Sequence, residues 1–279
     1  MSEAQLPAGA LEPTFFMEAM QAFNELSNFA RMVDLGFMLG ATLSTVFDLF
    51  QNRLSGDPRA EHAIAGLRPL ATELQPYAAS ESSNELPYLQ SLLVIRYVTI
   101  IETVVQDAVA YSLLNVSDVL NRPEVQRLKG TVADLLTATP TERVEFLVHT
   151  LSQEVKAPLQ KGIGKFEVLL GAVGLSGGVD AEVRKALLEL LNIRNVVVHS
   201  RGRVDSRFLE NCPSSRHQLG EVLRITPNMS ERYRTACVYY LAELIIRWTK
   251  RDHAGADTTA FQAVQKNALQ KFRATTGAG

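Results

Sequence analysis

The chain has 279 residues, of which 46% are hydrophobic and 21% charged, and its formal net charge is −2. This composition is typical of a folded protein and excludes a disordered chain. The small negative charge also excludes binding of nucleic acid through a uniformly basic surface. Only two cysteines are present, too few for a disulfide framework, which predicts a reducing compartment and a cytoplasmic location.

Residues 1–80 are predicted to form an N-terminal helical region. Apolar residues recur at helical spacing over residues 14–54, a turn signal covers residues 55–58, and a shorter helix follows to about Tyr77. The thirteen uncharged residues between Asp34 and Asp48 fall short of the ~20 that a membrane span needs. They predict a buried helix and no membrane contact, and the small polar residues 78–84 predict a linker.

Residues 86–252 are predicted to form a helical bundle, followed by a polar tail over residues 253–279. The most apolar helix of the bundle covers residues 89–114. Glu102 stands among apolar neighbours on this helix, so its carboxylate must be paired or change its pKa. Two interpretations stay open: an ion pair, with Arg96 or with another helix, or a catalytic or supporting carboxylate close to residues 194–199.

The other helix signals in the bundle are local. Thr139 with Glu142 has the chemistry of a capping box, and Asp180 is a candidate N-cap of the helix that leads to residue 194. A helix is also predicted over residues 158–174, a short extended piece over 221–226, and a last helix capped by Ser230. Since strands and helices do not alternate, the predicted fold class is all-α, a helical bundle with the additional N-terminal region.

The candidate site lies where an apolar helix runs into Arg194 and Asn195, then three valines, His199 and, further on, Gly202. β-Branched residues are poor helix formers and glycine takes a left-handed conformation easily, so the helix is expected to fray and stop here. Arg194, Asn195 and His199 would then face outward. A fixed cation, an amide and an imidazole within one and a half turns suit a phosphodiester.

Charge is unevenly distributed along the chain. Residues 1–58 carry seven acidic side chains against two arginines, a net of −5, whereas residues 194–224 carry six arginines against three acids, a net of +3. A local basic face on an acidic chain can attract a polyanion, and the candidates for this contact are Arg201, Arg203 and Arg207. A solvated surface loop is the alternative interpretation.

Metal and cofactor motifs are missing from the sequence. Cys212, His217 and Cys237 do not have the spacing of zinc ligands and lack a fourth partner. A glycine-rich phosphate loop, a nucleophile elbow and a His-Glu-x-x-His motif are also missing. No metal and no cofactor are therefore expected.

The segment Arg194-Asn195-x-x-x-His199 resembles the signature of HEPN proteins (higher eukaryotes and prokaryotes nucleotide-binding domains). That signature is an arginine, commonly followed by a polar residue, and a histidine after four to six intervening residues. Two other pairs in the chain satisfy the same loose spacing, Arg143 with His149 and Arg247 with His253. Of the three arginines, only Arg194 is followed by a polar residue. Of the three histidines, only His199 is predicted to end a helix before a glycine. The resemblance covers roughly residues 86–252.

The resemblance implies a helical bundle that pairs as a homodimer, with the arginine and histidine of both copies side by side. Many such proteins are metal-independent ribonucleases. His199 would then move a proton, Arg194 would hold the scissile phosphate, Asn195 would orient it, and Glu102 would support the site. Arg201, Arg203 and Arg207 would carry the RNA backbone.

The resemblance also implies a toxin or antiviral defence effector, restrained by an antitoxin or another regulatory protein. The alternative is a non-catalytic helical adaptor that keeps the fold in order to bind a protein partner or nucleic acid.

Overall fold

The computed structural model describes residues 14–53, 57–129 and 139–276. Within these residues the chain is all-α, as predicted, with ten α-helices, two 3-10 helices (Ser117–Asn121 and Ala157–Leu159) and no named strand. The α-helices are α1 (Phe15–Arg53), α2 (Pro58–Ser83), α3 (Pro87–Asn115), α4 (Pro123–Gln126), α5 (Pro140–Glu154), α6 (Gly164–Ala172), α7 (Ala181–His199), α8 (Ser206–Asn211), α9 (Pro227–Asp252) and α10 (Thr259–Thr276).

The chain divides into two compact units. The larger unit comprises the described residues of Met1–Phe23, Val94–Leu223 and Asn228–Gly279. The smaller unit comprises those of Asn24–Leu93 and Arg224–Pro227. The division falls inside α1 and inside α3.

Four helices form the core of the larger unit. Side chains of α3, α6, α7 and α9, with Ile163 just before α6, meet around one small internal gap lined by Val98, Ile101, Ile163, Phe166, Leu187, Leu190, Leu191 and Cys237. Beside them, Arg247 of α9 is buried and its Nη1 donates to Glu167 Oε2 of α6 at 2.9 Å. Tyr240 Oη donates to Glu167 Oε1 at 2.6 Å, which satisfies the second carboxylate oxygen. The buried charges are thus paired, as a low-dielectric interior requires.

The smaller unit is organised by a helical hairpin of α1 and α2. Arg68 Nη1 donates to Asp48 Oδ1 at 2.8 Å, and Gln75 Nε2 donates to the carbonyl of Ala41 at 3.2 Å. Since the residue number in α1 falls while that in α2 rises, the two helices run antiparallel.

The prediction of a buried helix between Asp34 and Asp48 is wrong. Residues 35–47 belong to α1, and none of them is buried. In the smaller unit α2 lies along one side of α1, and a single neighbouring helix covers one side only. Apolar composition does not bury a helix unless enough partners surround it.

Among the described residues, α1 over Phe15–Gln51 is the one helix long and apolar enough to cross a membrane by length and composition. Core helices of soluble proteins and signal sequences share these properties. The cytoplasmic location and the absence of membrane contact therefore stay predictions.

The linker predicted over residues 78–84 is instead helical, because α2 continues to Ser83 with Asn84 as its C-cap. Ala78 is buried, and its Cβ lies 3.1 Å from the position that a Cβ would take at Gly40 of α1. This tight packing holds the segment helical, and the left-handed Glu85 and Leu86 that follow end it.

Two other helix starts differ from the prediction. The helix expected over residues 158–174 begins only at Gly164, because Gly162 takes a left-handed φ of 58° and interrupts it. The last long helix begins at Pro227, since proline suits a first helical turn, and Ser230 lies buried inside it rather than capping it. The expected extended piece over residues 221–226 is reduced to an isolated bridge between Arg203 and Val222.

Local capping signals are confirmed. Thr139 and Glu142 form the complete capping box of α5. The Asp180 side chain accepts hydrogen bonds from the backbone N–H groups of Glu182 and Val183 at the start of α7. Within the predicted polar tail, residues 259–276 form α10, where Ala268 and Phe272 are buried.

Candidate functional site

The candidate site is carried by the last two turns of α7. Val183, Leu187, Leu190, Ile193 and Val196 are buried on one side of this helix at the three- and four-residue spacing of an amphipathic helix. Residues 195, 198 and 199 therefore lie away from the core, half-buried or exposed, whereas Arg194 continues the row of Leu187 and Leu190 and is half-buried. The three valines are helical after all, because burial of Val196 outweighs their low helix propensity.

A hydrogen bond joins two of the three predicted site residues, Arg194 and Asn195. Arg194 Nη1 donates to Asn195 Oδ1 at 3.3 Å. Asn195 and His199 are four residues apart and thus neighbours on the helix surface. His199 is exposed, and Arg194 is half-buried with its Nε sealed from solvent and without a partner among the described residues.

The helix ends immediately after His199. Arg201 and Gly202 both have left-handed φ angles, 53° and 73°, and the N–H of Gly202 donates to the carbonyl of Val196 at 3.0 Å. The expectation that Gly202 helps to stop the helix is confirmed, but α7 is regular to His199 rather than frayed. The left-handed conformation is uncommon for an arginine and turns the chain sharply beside the imidazole.

The segment after the helix is held by hydrogen bonds that the sequence alone did not reveal. Ser200 Oγ donates to Asp205 Oδ2 at 2.7 Å, and the N–H of Phe208 donates to Asp205 Oδ1 at 2.8 Å. These bonds lower the pKa of Asp205 below its ordinary value. Asn211 Nδ2 of α8 donates to Asn192 Oδ1 of α7 at 3.0 Å. The serine and aspartate that follow the helix end were the available signal for this framework.

The three arginines predicted to contact RNA all lie on this segment. Arg201, Arg203 and Arg207 are exposed. Arg203 donates from Nη1 to the carbonyl of Gly220 at 3.1 Å, which ties its guanidinium to the loop. The carbonyl end of a helix carries partial negative charge, so an anion beside His199 needs nearby cations, and these side chains supply them.

Glu102 is held elsewhere. Its Oε1 accepts from Lys165 Nζ of α6 at 2.8 Å, and both side chains are about one-third exposed. This is the ion pair with another helix that the sequence left open, and Arg96 is not its partner. Within the described residues, no hydrogen bond or ion pair joins Glu102 to Arg194 or His199.

The two other arginine–histidine pairs occupy different surroundings. Arg247 is buried and paired with Glu167 and Glu243, and His253 packs its ring 4.9 Å from Trp248. This pair belongs to the interior of the larger unit. Arg143 and His149 are exposed in α5 and lack the glycine-terminated helix end.

In the part of the chain that the structure describes, no three histidine, cysteine, aspartate or glutamate side chains are grouped so as to hold a metal ion. Cys212 and Cys237 are free and buried. Burial raises the pKa of the Cys212 thiol to about 11.

Comparison of the chain with protein-family models, with curated proteins and with solved structures returned no match. The resemblance to HEPN proteins stays a prediction.

Asp205→Ala is expected to lower the free energy of unfolding by about 1 kcal/mol at neutral pH, since it removes a helix cap. The folded pKa of Asp205 is lowered, so this contribution is present above the ordinary value of 3.8 and is lost as the pH falls through the folded value. Denaturant unfolding at a series of pH values, with exposed Glu210→Ala of α8 as the control, measures it. A difference from wild type that stays constant or grows in acid contradicts this role.

Proposed function

We propose that the chain is a metal-independent endoribonuclease of the HEPN type, whose site is composite and formed by two copies of α7. The observation that carries the proposal is the exposed His199 beside Asn195, with Arg194 bonded to the same amide. The unpaired Nε of Arg194 supports it further. A sealed donor without an acceptor is costly, and RNA or a second copy would supply the missing group if the side chain moves.

The chemistry follows from the residue types. The His199 imidazole takes the proton of the ribose 2′-hydroxyl as its oxygen attacks the phosphorus. The bond from phosphorus to the 5′-oxygen breaks, and that oxygen takes a proton from the imidazolium that His199 has become. The products carry a 2′,3′-cyclic phosphate and a 5′-hydroxyl.

The cations act on the charge that this reaction develops. Arg194 of the second copy donates to the phosphate oxygens and stabilises the transition state, and the Asn195 beside it holds its guanidinium in place. Arg201, Arg203 and Arg207 bind the RNA backbone on either side of the cut. Because Glu102 is paired with Lys165, no chemical step is assigned to it.

His199→Ala is expected to reduce RNA cleavage in EDTA by at least about a hundredfold, the lower end of what general acid–base catalysis contributes. Arg194→Ala is expected to have a comparable effect. The measurement is the initial rate on a labelled RNA with end-group analysis, and the same strand carrying 2′-deoxyribose stays uncut.

The matched control is His149→Ala, which removes an exposed histidine of a pair with the same loose spacing. Its rate should equal that of the wild type. Cleavage unchanged in His199→Ala, or abolished equally in His149→Ala, removes the assignment of this site.

The arginines after α7 are tested separately, by the salt dependence of RNA binding. Replacing Arg201, Arg203 and Arg207 by alanine, in the His199→Ala chain so that RNA stays intact, should weaken binding. The slope of log K against log salt should fall by about 0.7 for each phosphate that an arginine no longer neutralises. Fluorescence anisotropy at several salt concentrations measures this, with exposed Arg59→Ala of α2 as the control. A slope equal to that of the control contradicts the role.

The non-catalytic adaptor is the second candidate, and the exposed apolar surface of α1 and α2 favours it. The two functions differ in a cell. A ribonuclease inhibits growth when overexpressed and loses this effect in His199→Ala, as a toxin or defence effector would, whereas an adaptor leaves growth unchanged.

A further inference from the structure

The α1–α2 hairpin carries a large apolar surface that the rest of the described chain leaves uncovered. Eight large side chains, each between 48% and 73% exposed, form what we call the hairpin face: Phe29, Met32, Leu39 and Phe50 of α1, and Leu67, Leu70, Leu74 and Tyr77 of α2. All eight belong to the smaller unit.

The residues of this face have the spacing of helix–helix packing. In α2 they follow one another at intervals of three, four and three residues. In α1 the same alternation runs from Phe29 to Phe50, with Gly36, Leu43 and Val46 in the intervening positions. A repeat of this kind produces one continuous stripe along a helix and is typical of helices that pack lengthwise against others.

Both stripes lie on the same side of the hairpin. In each helix the stripe lies about a quarter to a third of a turn around the axis from the residues that contact the other helix. In both helices this rotation goes in the same sense, towards the residues that precede the contacting ones in the sequence. Those contacting residues include Gly40 and Ala41 in α1 and Gln75 and Ala78 in α2. Because the helices are antiparallel, equal displacements bring the two stripes out together. The opposite side carries polar residues such as Asp34 and Thr72, together with the exposed Met38 and Leu49 of α1.

We infer that the hairpin face is a self-association surface, on which the hairpin of a second copy of this chain packs to complete a four-helix bundle. Two antiparallel helices with one common apolar side are half of such a bundle. A two-fold axis pairs the face with itself, so no other partner is required. This surface is separate from α7, and the inference does not depend on the ribonuclease proposal.

The exposed area is sufficient for a stable dimer. Half-exposed residues of this size each leave on the order of 100 Å² to solvent, so the eight together leave on the order of 800 Å². A stable protein interface buries about 800 Å² on each partner, and monomers seldom expose an apolar patch above about 600 Å².

The charges of the hairpin disfavour binding to an anionic lipid surface. Residues 24–93 carry eight acidic side chains against four arginines. Helices that lie on membranes are rich in lysine and arginine, and the cytoplasmic leaflet is anionic, so it repels an acidic surface. Since α1 is long and apolar enough to cross a membrane by length and composition, lipid vesicles are included in the test below.

The test is the mass of the full chain by sedimentation over a wide range of concentration. The wild type should have the mass of a dimer or a higher assembly of even order. Leu67→Glu with Leu74→Glu places two charges on the hairpin face and should weaken self-association by at least about a hundredfold. Both leucines are exposed in the single chain, so the helix content by circular dichroism should stay that of the wild type.

The matched control is Ala65→Glu with Thr72→Glu, which places the same two charges seven residues apart on the same helix. Both residues are exposed and lie outside the hairpin face. This variant should keep the mass of the wild type, because its charges remain in solvent.

A thiol placed in the face gives a second measurement. The Leu70→Cys thiol should react with maleimide more slowly in the wild-type background than in the Leu67→Glu/Leu74→Glu background. Since Cys212 and Cys237 are buried, the introduced thiol should react with maleimide faster than either of them.

Three outcomes overturn the inference. The first is a wild type that is monomeric at every concentration. The second is a dimer that Leu67→Glu/Leu74→Glu leaves intact, which places the interface elsewhere, for example on α7. The third is a monomer that sediments with phosphatidylcholine or phosphatidylserine vesicles and is released by the same substitutions, which assigns the face to lipid. The second outcome leaves the ribonuclease proposal standing. A monomer also counts against its two-copy site, and RNA cleavage in EDTA, which is measured separately, decides that proposal.

Discussion

Burial of one side of α7 determines which of its side chains face solvent. Leu187, Leu190, Ile193 and Val196 are buried at helical spacing, and the Asp180 cap fixes where the helix begins. Rotating the helix by one residue, about 100°, would expose part of this row. The outward position of His199 is therefore a consequence of core packing in the preceding turns. The proposed chemistry depends on this constraint.

The segment after α7 places arginines beside the negative end of the helix dipole. The carbonyl groups at the end of α7 disfavour an anion, yet the proposed chemistry places a phosphate beside His199. Arg201 and Arg203 follow the helix directly, and the bonds from Ser200 and Phe208 to Asp205 fix the loop that carries them. The end of α7, the loop after it and its arginines are thus fixed by local interactions. The smaller unit of the chain carries the apolar hairpin face instead.

Features that depend on neighbouring residues could be predicted from the sequence. The Thr139–Glu142 capping box and the Asp180 cap need only a few residues, and both are present. The stop near Gly202 also follows from local conformational preference. Features that depend on distant contacts could not be predicted. Lys165 as the partner of Glu102 is decided by the packing of α3 against α6.

The largest difference concerns burial. An apolar sequence between Asp34 and Asp48 indicates a helix but cannot say how many neighbours surround it, and α1 is left with one side covered by α2. The exposure of the hairpin face could not be predicted from the sequence for the same reason. At the candidate site, the sequence itself places Arg194, Asn195 and His199 near one another. The regular helix through residues 196–198 could not be predicted, because Val196 is helical through tertiary burial.

The central claim is that the imidazole and guanidinium of α7 act together across two copies to cut RNA. The most direct measurement is the cleavage rate of an equal mixture of Arg194→Ala and His199→Ala chains in EDTA, after the copies have exchanged, compared with each variant alone. Each variant alone is expected to be nearly inactive, and the mixture should recover part of the wild-type rate, since mixed pairs keep one intact arginine and one intact histidine on opposite copies. A mixture no more active than its components, or full activity in either variant alone, would contradict it.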